Sequence, residues 1–331
     1  MTYVLLAVSF GLLIAGALVF TNAIEWAGRR LDVGSGATGS ILAAVATALP
    51  ESLIPIVAIV GGREASDDVA LGAIIGAPFM LGTVAFALVG ISAFAFRERR
   101  EQGDRVDAHR PTLRRDFALF FAAFGLVLAL GLVGPRWLRL GAACILVALY
   151  AAYVWRTVRG AGDAEEEELS PLYVDPTKGD PPATWQIVLQ VAAGIGAIVG
   201  GAHLFVGEVT SLADGLGVST LVLALVIAPL ATELPEKFNS FIWVREGKDA
   251  LALGNITGAM AFQSTVPVAV GLAFTPWAFD EYAALAAVLA LVGGAIAFWA
   301  TTIRCRFAPL PMLAWATLFA SFVVYVALTT G

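Results

Sequence analysis

The sequence predicts an all-α integral membrane protein of ten transmembrane helices, built as two inverted five-helix repeats. Three observations carry that prediction. The chain of 331 residues is 59% hydrophobic and 14% charged, with a mean hydropathy of +0.84, which is polytopic-membrane composition and not that of a soluble domain. Its apolar residues gather in runs of about 20, enough for a helix to cross the hydrocarbon core. The hexapeptide Ala46-Thr47-Ala48-Leu49-Pro50-Glu51 recurs as Ala231-Thr232-Glu233-Leu234-Pro235-Glu236, 185 residues further on and changed at one position.

The first span, 3–28, starts at Met-Thr-Tyr with neither a basic flank nor a clear small-residue cleavage site, so it is expected to be a retained helix and not a signal peptide. The second, 36–61, holds Pro50 and Glu51, and the third, 69–96, holds Gly72 and Gly76 four residues apart. Spans 116–133 and 137–158 complete the first half. An acidic stretch follows from Asp163 to Asp180, with four consecutive glutamates, Glu165 to Glu168, among Pro and Gly. It reads as a solvated linker. Spans 185–212, 218–244, 250–274, 281–303 and 308–329 form the second half. The expected organisation is a first repeat over 1–160, a cytoplasmic linker over 161–183 and a second repeat over 184–331. Cys144 and Cys305 have no ligand spacing and are read as packing residues.

Positive charge sets the expected orientation. Loops after the odd-numbered spans hold sixteen Lys and Arg, the opposite loops hold Arg63, Arg136 and Arg139, and Lys237 lies inside a span. The positive-inside rule then puts both termini on the non-cytoplasmic side, most simply of the plasma (inner) membrane. At the offset of the hexapeptide, Gly16-Ala17-Leu18-Val19-Phe20 faces Gly201-Ala202-His203-Leu204-Phe205, and Ala70–Ala77 aligns with Ala252–Ala259 three residues out of step. Five spans per half is odd, so the second half enters from the other side. That is the inverted-topology repeat of secondary transporters, with its site near the midplane.

A carboxylate in mid-bilayer is costly unless it meets a cavity, a partner or an ion. Proline at the same place leaves a carbonyl without its helical donor. Glu51 and Glu236 with those carbonyls form a hard oxygen set suited to Ca2+. No His, Cys or Met lies within either hexapeptide, which disfavours soft metals. Thr47 and Thr232, one turn before the glutamates, are expected to line the same cavity. Asn255 and Gln263, uncharged polar residues in an apolar span, are expected to face a polar cavity or partner. The Gly72–Gly76 and Gly254–Gly258 pairs read as close helix packing.

At these residues the chain resembles the cation/calcium exchangers, which include the sodium/calcium exchangers. That family carries Gly-Thr-Ser-x-Pro-Glu on one helix of each repeat and Gly-Asn-x-x-Gly-Ser-Asn-x-x-Asn/Asp on the next. Ala46–Glu51 and Ala231–Glu236 correspond to the first stretch, and Gly72–Leu81 and Gly254–Gln263 to the second. The resemblance implies the exchanger fold, with spans 1 and 6 sliding against the rest. The chain departs at Ala48, Glu233, Ala77 and Ala259, where the family has Ser, and at Leu81 and Gln263, where it has Asn or Asp. Ligands are therefore expected mainly from the second half. Glu233 adds a third carboxylate, placed to pair with Lys237 at i,i+4 or to carry a proton.

These readings converge on a secondary antiporter exchanging a divalent cation, most simply Ca2+, for Na+ or H+ by alternating access. The expected metal ligands are Glu51, Glu236, Thr47, Thr232, Glu233 and Gln263. Altered specificity (Mg2+ or monovalent cations) is the second reading, and a non-transporting scaffold with the same fold the third. No catalytic pairing is visible, so an enzyme is not expected. Nor is a cofactor, since Ca2+, Na+ and H+ are cargo. The expected partners are inorganic cations and the lipid bilayer, not nucleic acid, and the oligomeric state stays open. Gly34-Ser35-Gly36-Ala37-Thr38-Gly39 matches a dinucleotide fingerprint, but it lacks the strand–turn–helix context that the chemistry needs.

Overall fold

The structure, a computed structural model, describes residues 1–30, 49–62, 66–133, 135–160, 169–175 and 182–330. The described residues are helical between their turns, with one isolated β-bridge joining Arg105 to Arg306. In chain order the helices are α1 (Thr2–Arg30), α2 (Leu49–Gly61), α3 (Ser66–Met80), α4 (Phe86–Ala95), α5 (Arg110–Val133), α6 (Arg136–Gly160) and α7 (Thr184–Leu216). They continue as α8 (Thr220–Arg245), α9 (Asp249–Gln263), α10 (Val266–Phe274), α11 (Glu281–Phe298) and α12 (Pro309–Thr330). Eight of the resulting helical stretches are long and apolar enough to cross a membrane. Spans 2 and 7 supply the other two crossings. Span 2 is described from Leu49 onward as α2, and span 7 is the 26-residue α8, whose apolar run stops at Leu230 because Glu233, Glu236 and Lys237 follow. The protein is a multi-pass integral membrane protein.

Spans 3 and 8 lie at the centre. Their most apolar stretches are 83% and 72% buried, against 28% and 33% for α1 and α7. Both central spans are interrupted, at places related by the repeat. Span 3 passes from α3 to α4 through a π-helical turn, Leu81–Ala85, and span 8 breaks at Ser264 and Thr265 between α9 and α10. In each, a threonine hydroxyl donates to the carbonyl four residues back: Thr83 to Phe79 at 2.6 Å and Thr265 to Ala261 at 2.8 Å. These bonds satisfy hydroxyls that lipid would leave bare.

Glycine lets the helices close. On α3, a Cβ at Gly72 would stand 2.6 Å from the Leu221 carbonyl oxygen of α8, and one at Gly76 would overlap the Leu225 carbonyl. Pro229 has no N–H to offer Leu225 as a helical partner, so this crossing presses α3 against a carbonyl that its own helix does not use. Gly16 and Gly201, equivalent in the repeat, both sit where α1 crosses α7: a Cβ there would meet Ile198 Cγ1 at 2.8 Å and Leu12 Cβ at 3.1 Å. The α1–α7 pair then meets α2, α3 and α8 across an apolar seam that includes Leu13, Phe20, Ile54, Val69, Phe205 and Val209. A second, larger core gathers α3, α4, α5, α11 and α12 around Phe79, Phe86, Phe117, Trp315 and Phe322.

Two findings depart from the sequence expectations. The helix of span 4 begins at Arg110, six residues before the apolar run, which carries Asp116 into the protein. Part of the linker is docked and not solvated. Over 169–175, the Ser170 carbonyl accepts from Trp26 Nε1 at 2.9 Å and Asn22 Nδ2 at 3.2 Å, and the Val174 N–H donates to Gln190 Oε1 at 3.0 Å. Leu172 is buried beside Ala23, Trp26 and Ile187. The glutamate run lies outside the described residues.

Candidate cation site

The repeated Pro-Glu motifs fall on α2 and α8. Glu51 occupies the first described turn of α2 and is buried, 8% exposed. The α2 helix packs on α3, α7, α8 and α10, which places this carboxylate's helix among the central spans. Along α8, Thr232 is buried and its hydroxyl donates to the Ala228 carbonyl at 3.2 Å. One residue on, Glu233 is buried, and its Oε2 accepts a hydrogen bond from Lys237 Nζ at 2.5 Å. The side chains of this ion pair are 2% and 1% exposed. The one-turn spacing expected from i,i+4 is therefore realised inside the bundle, with no snorkelling of Lys237 toward water.

Gln263, the last residue of α9, is buried and stands beside the Glu233 carboxyl. Glu233 Oε1 and Gln263 Oε1 are both buried acceptors without a hydrogen-bond donor among the described residues. Acceptors of that kind are costly in an apolar interior unless a ligand or ion satisfies them. The backbone adds further oxygens. Pro55, Pro235 and Pro267 lack the N–H that would serve the carbonyls of Glu51, Ala231 and Gln263 in a regular helix. Carboxylate, amide and carbonyl oxygens are the donor types that a hard cation takes.

Thr47 lies outside the described residues, and Glu236 is described only as part of the α8 backbone. Among the described residues no three His, Cys, Asp or Glu side chains form a cluster; of the expected ligands the structure brings together Glu233 and Gln263, with Lys237 paired to Glu233. Asn255 turns to a protein partner: its Nδ2 donates to Ser240 Oγ at 3.2 Å, linking α9 to α8.

The sequence reading missed two polar clusters. Asp116 of α5 is buried, accepting from the Thr257 hydroxyl of α9 at 2.8 Å and the Tyr153 hydroxyl of α6 at 2.9 Å. Arg115 stands over the Tyr153 ring at 4.7 Å. The available signal was an acid at the edge of an apolar run, which ordinarily marks an interface. The second cluster is a latch at the ends of α8 and α9. Arg100 donates to Asp249 Oδ2 at 2.7 Å, Val244 O at 2.7 Å, Gly103 O at 3.0 Å and Arg105 O at 3.1 Å, with both charged side chains fully buried. Nothing local in the sequence pairs two residues so far apart.

The sequence profile of the sodium/calcium exchanger protein family matches residues 1–159 and 186–331. The chain belongs to that family. Its members are transporters and not enzymes, and the chain falls within the cation/calcium exchanger superfamily. A 119-residue stretch is 33% identical to CaxA of Alkalimonas amylolytica, a protein named as an antiporter, and covers 34% of this chain and 37% of that relative. The chain thus spans about a third of that relative's length. Over 264 residues, 80% of this chain and 78% of the relative, it is 26% identical to the uncharacterized membrane protein MJ0091 of Methanocaldococcus jannaschii. Among solved structures, the H+/Ca2+ exchanger CAX superposes with a TM-score of 0.72 at 19% identity, covering 98% of this chain and 81% of that one. The sodium-calcium exchanger NCX_Mj superposes at 0.60 and 18% identity, covering 98% and 99%. At such identities the likeness establishes the exchanger fold.

Proposed function

We propose that this exchanger-family protein is a secondary antiporter that carries a divalent cation, Ca2+ first, against Na+ or H+ by alternating access. The observation that carries the proposal is the buried carboxylate of Glu51 on one repeat together with buried Glu233 and Gln263 on the other, where Glu233 Oε1 and Gln263 Oε1 have no donor among the described residues. The ligand set comprises Glu51, Glu236, Thr47, Thr232, Glu233 and Gln263, the second half supplying most of it. No cofactor is needed. The named relatives support the ion class, because CAX is titled an H+/Ca2+ exchanger and NCX_Mj a sodium-calcium exchanger. The seam between the α1–α7 pair and the central helices is lined by apolar side chains such as Leu13, Phe20, Ile54, Val69 and Phe205, a non-directional contact of the kind that suits sliding. Lys- and Arg-rich loops face the cytoplasm, and both termini lie on the other side of the plasma (inner) membrane.

Sealed proteoliposomes loaded with Na+ at clamped pH, or with a pH gradient in Na+-free buffer, test the proposal through 45Ca2+ uptake. One of the two gradients should drive accumulation. A chain that binds Ca2+ and moves none under either gradient is a scaffold, and the proposal fails. Proton coupling is our preferred arm, because Ala77 and Ala259 supply no hydroxyl to a monovalent ion whereas Glu233 adds an acid.

A further inference from the structure

A cavity that shares no residue with the candidate cation site lies at the membrane surface where span 3 ends and span 10 begins. It measures about 240 Å3, and its walls include Phe94 in the last turn of α4, Arg97 just beyond that helix, Asp104, Phe307, Ala308 and Pro309, the first residue of α12. That volume is about eight times the share of one water in the liquid. The walls are held in place. The Phe307 N–H donates to the Asp104 carbonyl at 2.8 Å, the Asp104 carboxylate meets Arg306 at 3.3 Å, and the Arg100 guanidinium stands over the Phe307 ring at 5.5 Å. Arg97 is exposed, stacks on the Phe94 ring at 4.6 Å and makes no ion pair among the described residues. Beside the cavity α4 and α12 pack together and leave Ile91, Leu310 and Leu313 exposed to the bilayer.

We propose that this cavity binds an anionic phospholipid, with the lipid phosphate on the Arg97 guanidinium and the glycerol backbone between Phe94 and Phe307. Three features select such a ligand. A guanidinium stacked on a ring keeps its N–H groups free at the edge, where they match phosphate oxygens. The apolar walls beside it offer nothing to a free phosphate ion and suit the acyl-glycerol end of a lipid. The ends of two spans mark the depth at which lipid phosphates lie, and a basic side chain there attracts anionic headgroups. The start of α12 adds the positive end of a 22-residue helix dipole to the same wall. Asp104 does not oppose the anion, because Arg306 already offsets its charge. The site stands apart from the antiport reading, and its test involves no transport.

The whole chain, purified in detergent, is titrated with palmitoyl-oleoyl phosphatidylglycerol and, separately, with the matching phosphatidylcholine, and native mass spectrometry counts the lipids retained per chain. Phosphatidylglycerol should fill a first site at concentrations where phosphatidylcholine does not. Arg97→Gln should weaken that site about fivefold, the worth of one basic side chain at an anionic surface. Arg99, also exposed, stacks on Phe96 outside the cavity, so Arg99→Gln should leave the first site unchanged. Ala308→Leu keeps every charge, fills the cavity and should empty the site. Equal retention of the two lipids, equal losses from Arg97→Gln and Arg99→Gln, or full retention by Ala308→Leu would each overturn the proposal. So would displacement of phosphatidylglycerol by equimolar glycerol 3-phosphate, which would make the ligand a free phosphate ester and not a lipid. Arg97 is exposed and its replacement should leave the fold intact; if Ala308→Leu does not fold, the two arginine variants decide.

Discussion

Removing Arg100 should destabilise the fold far more than its position in a loop suggests. Its guanidinium supplies four hydrogen bonds within 3.1 Å, to Asp249 and to the carbonyls of Gly103, Arg105 and Val244. Arg100→Met would leave Asp249 with the Asp107 backbone N–H, 3.0 Å from Oδ2, and with Oδ1 still buried without a donor. Breaking a fully buried pair in this way costs about 3–5 kcal/mol. With an unfolding entropy of about 2.1 cal/mol/K per residue, a chain of 331 residues should lose about 4–7 °C in Tm. Thermal unfolding in detergent, followed by intrinsic tryptophan fluorescence, measures the loss. Adding Asp249→Asn should recover much of it, because the orphaned charge is then gone. The exposed Lys248–Glu246 pair is the internal control, and Lys248→Ala should leave Tm unchanged. A drop below about 1 °C for Arg100→Met would refute the reasoning, as would a double variant less stable than the single one.

Further outcomes follow from the same geometry. Glu51→Gln and Glu236→Gln should each abolish 45Ca2+ uptake while the protein still elutes as a folded species; near-normal uptake by either would remove that residue from the site. Gly72→Ala should cost stability despite alanine's better helix propensity, because its Cβ would lie 2.6 Å from the Leu221 carbonyl oxygen and 2.9 Å from the Leu225 nitrogen; overpacking of this kind costs about 1–3 kcal/mol and is read as a lowered Tm. Thr257→Val deprives buried Asp116 of one of its two hydroxyl donors and should cost about 1.5–3 kcal/mol, with Tyr153→Phe non-additive to it in a double-mutant cycle. Gln190→Leu removes the side chain that holds both Val174 and Asn22, so limited proteolysis should cleave the 169–175 segment faster than in wild type.

Much of this protein was determined by its sequence alone, because a bilayer imposes few and strict rules. Helices must be long and apolar to cross it, which made the spans readable, and mid-membrane charge is rare enough to make Glu51, Glu233, Glu236 and Lys237 conspicuous. The hexapeptide and its 185-residue offset revealed the duplication without coordinates, and an odd number of spans per half dictated its inversion. The Glu233–Lys237 pair was readable for the same reason: i,i+4 contact is a property of one helix. Tertiary structure decided whatever depends on two helices at once. The contact of Gly72 and Gly76 with the α8 backbone, the clamp of Asn22, Trp26 and Gln190 on the linker, and the burial of Asp116 against Tyr153 and Thr257 join residues 16 to 153 positions apart. Such pairings leave no periodic trace along the chain. Asp116 shows the limit most plainly, since an acid at the end of an apolar run belongs to an interface until its own helix begins early enough to carry it against neighbours that supply Tyr153 and Thr257.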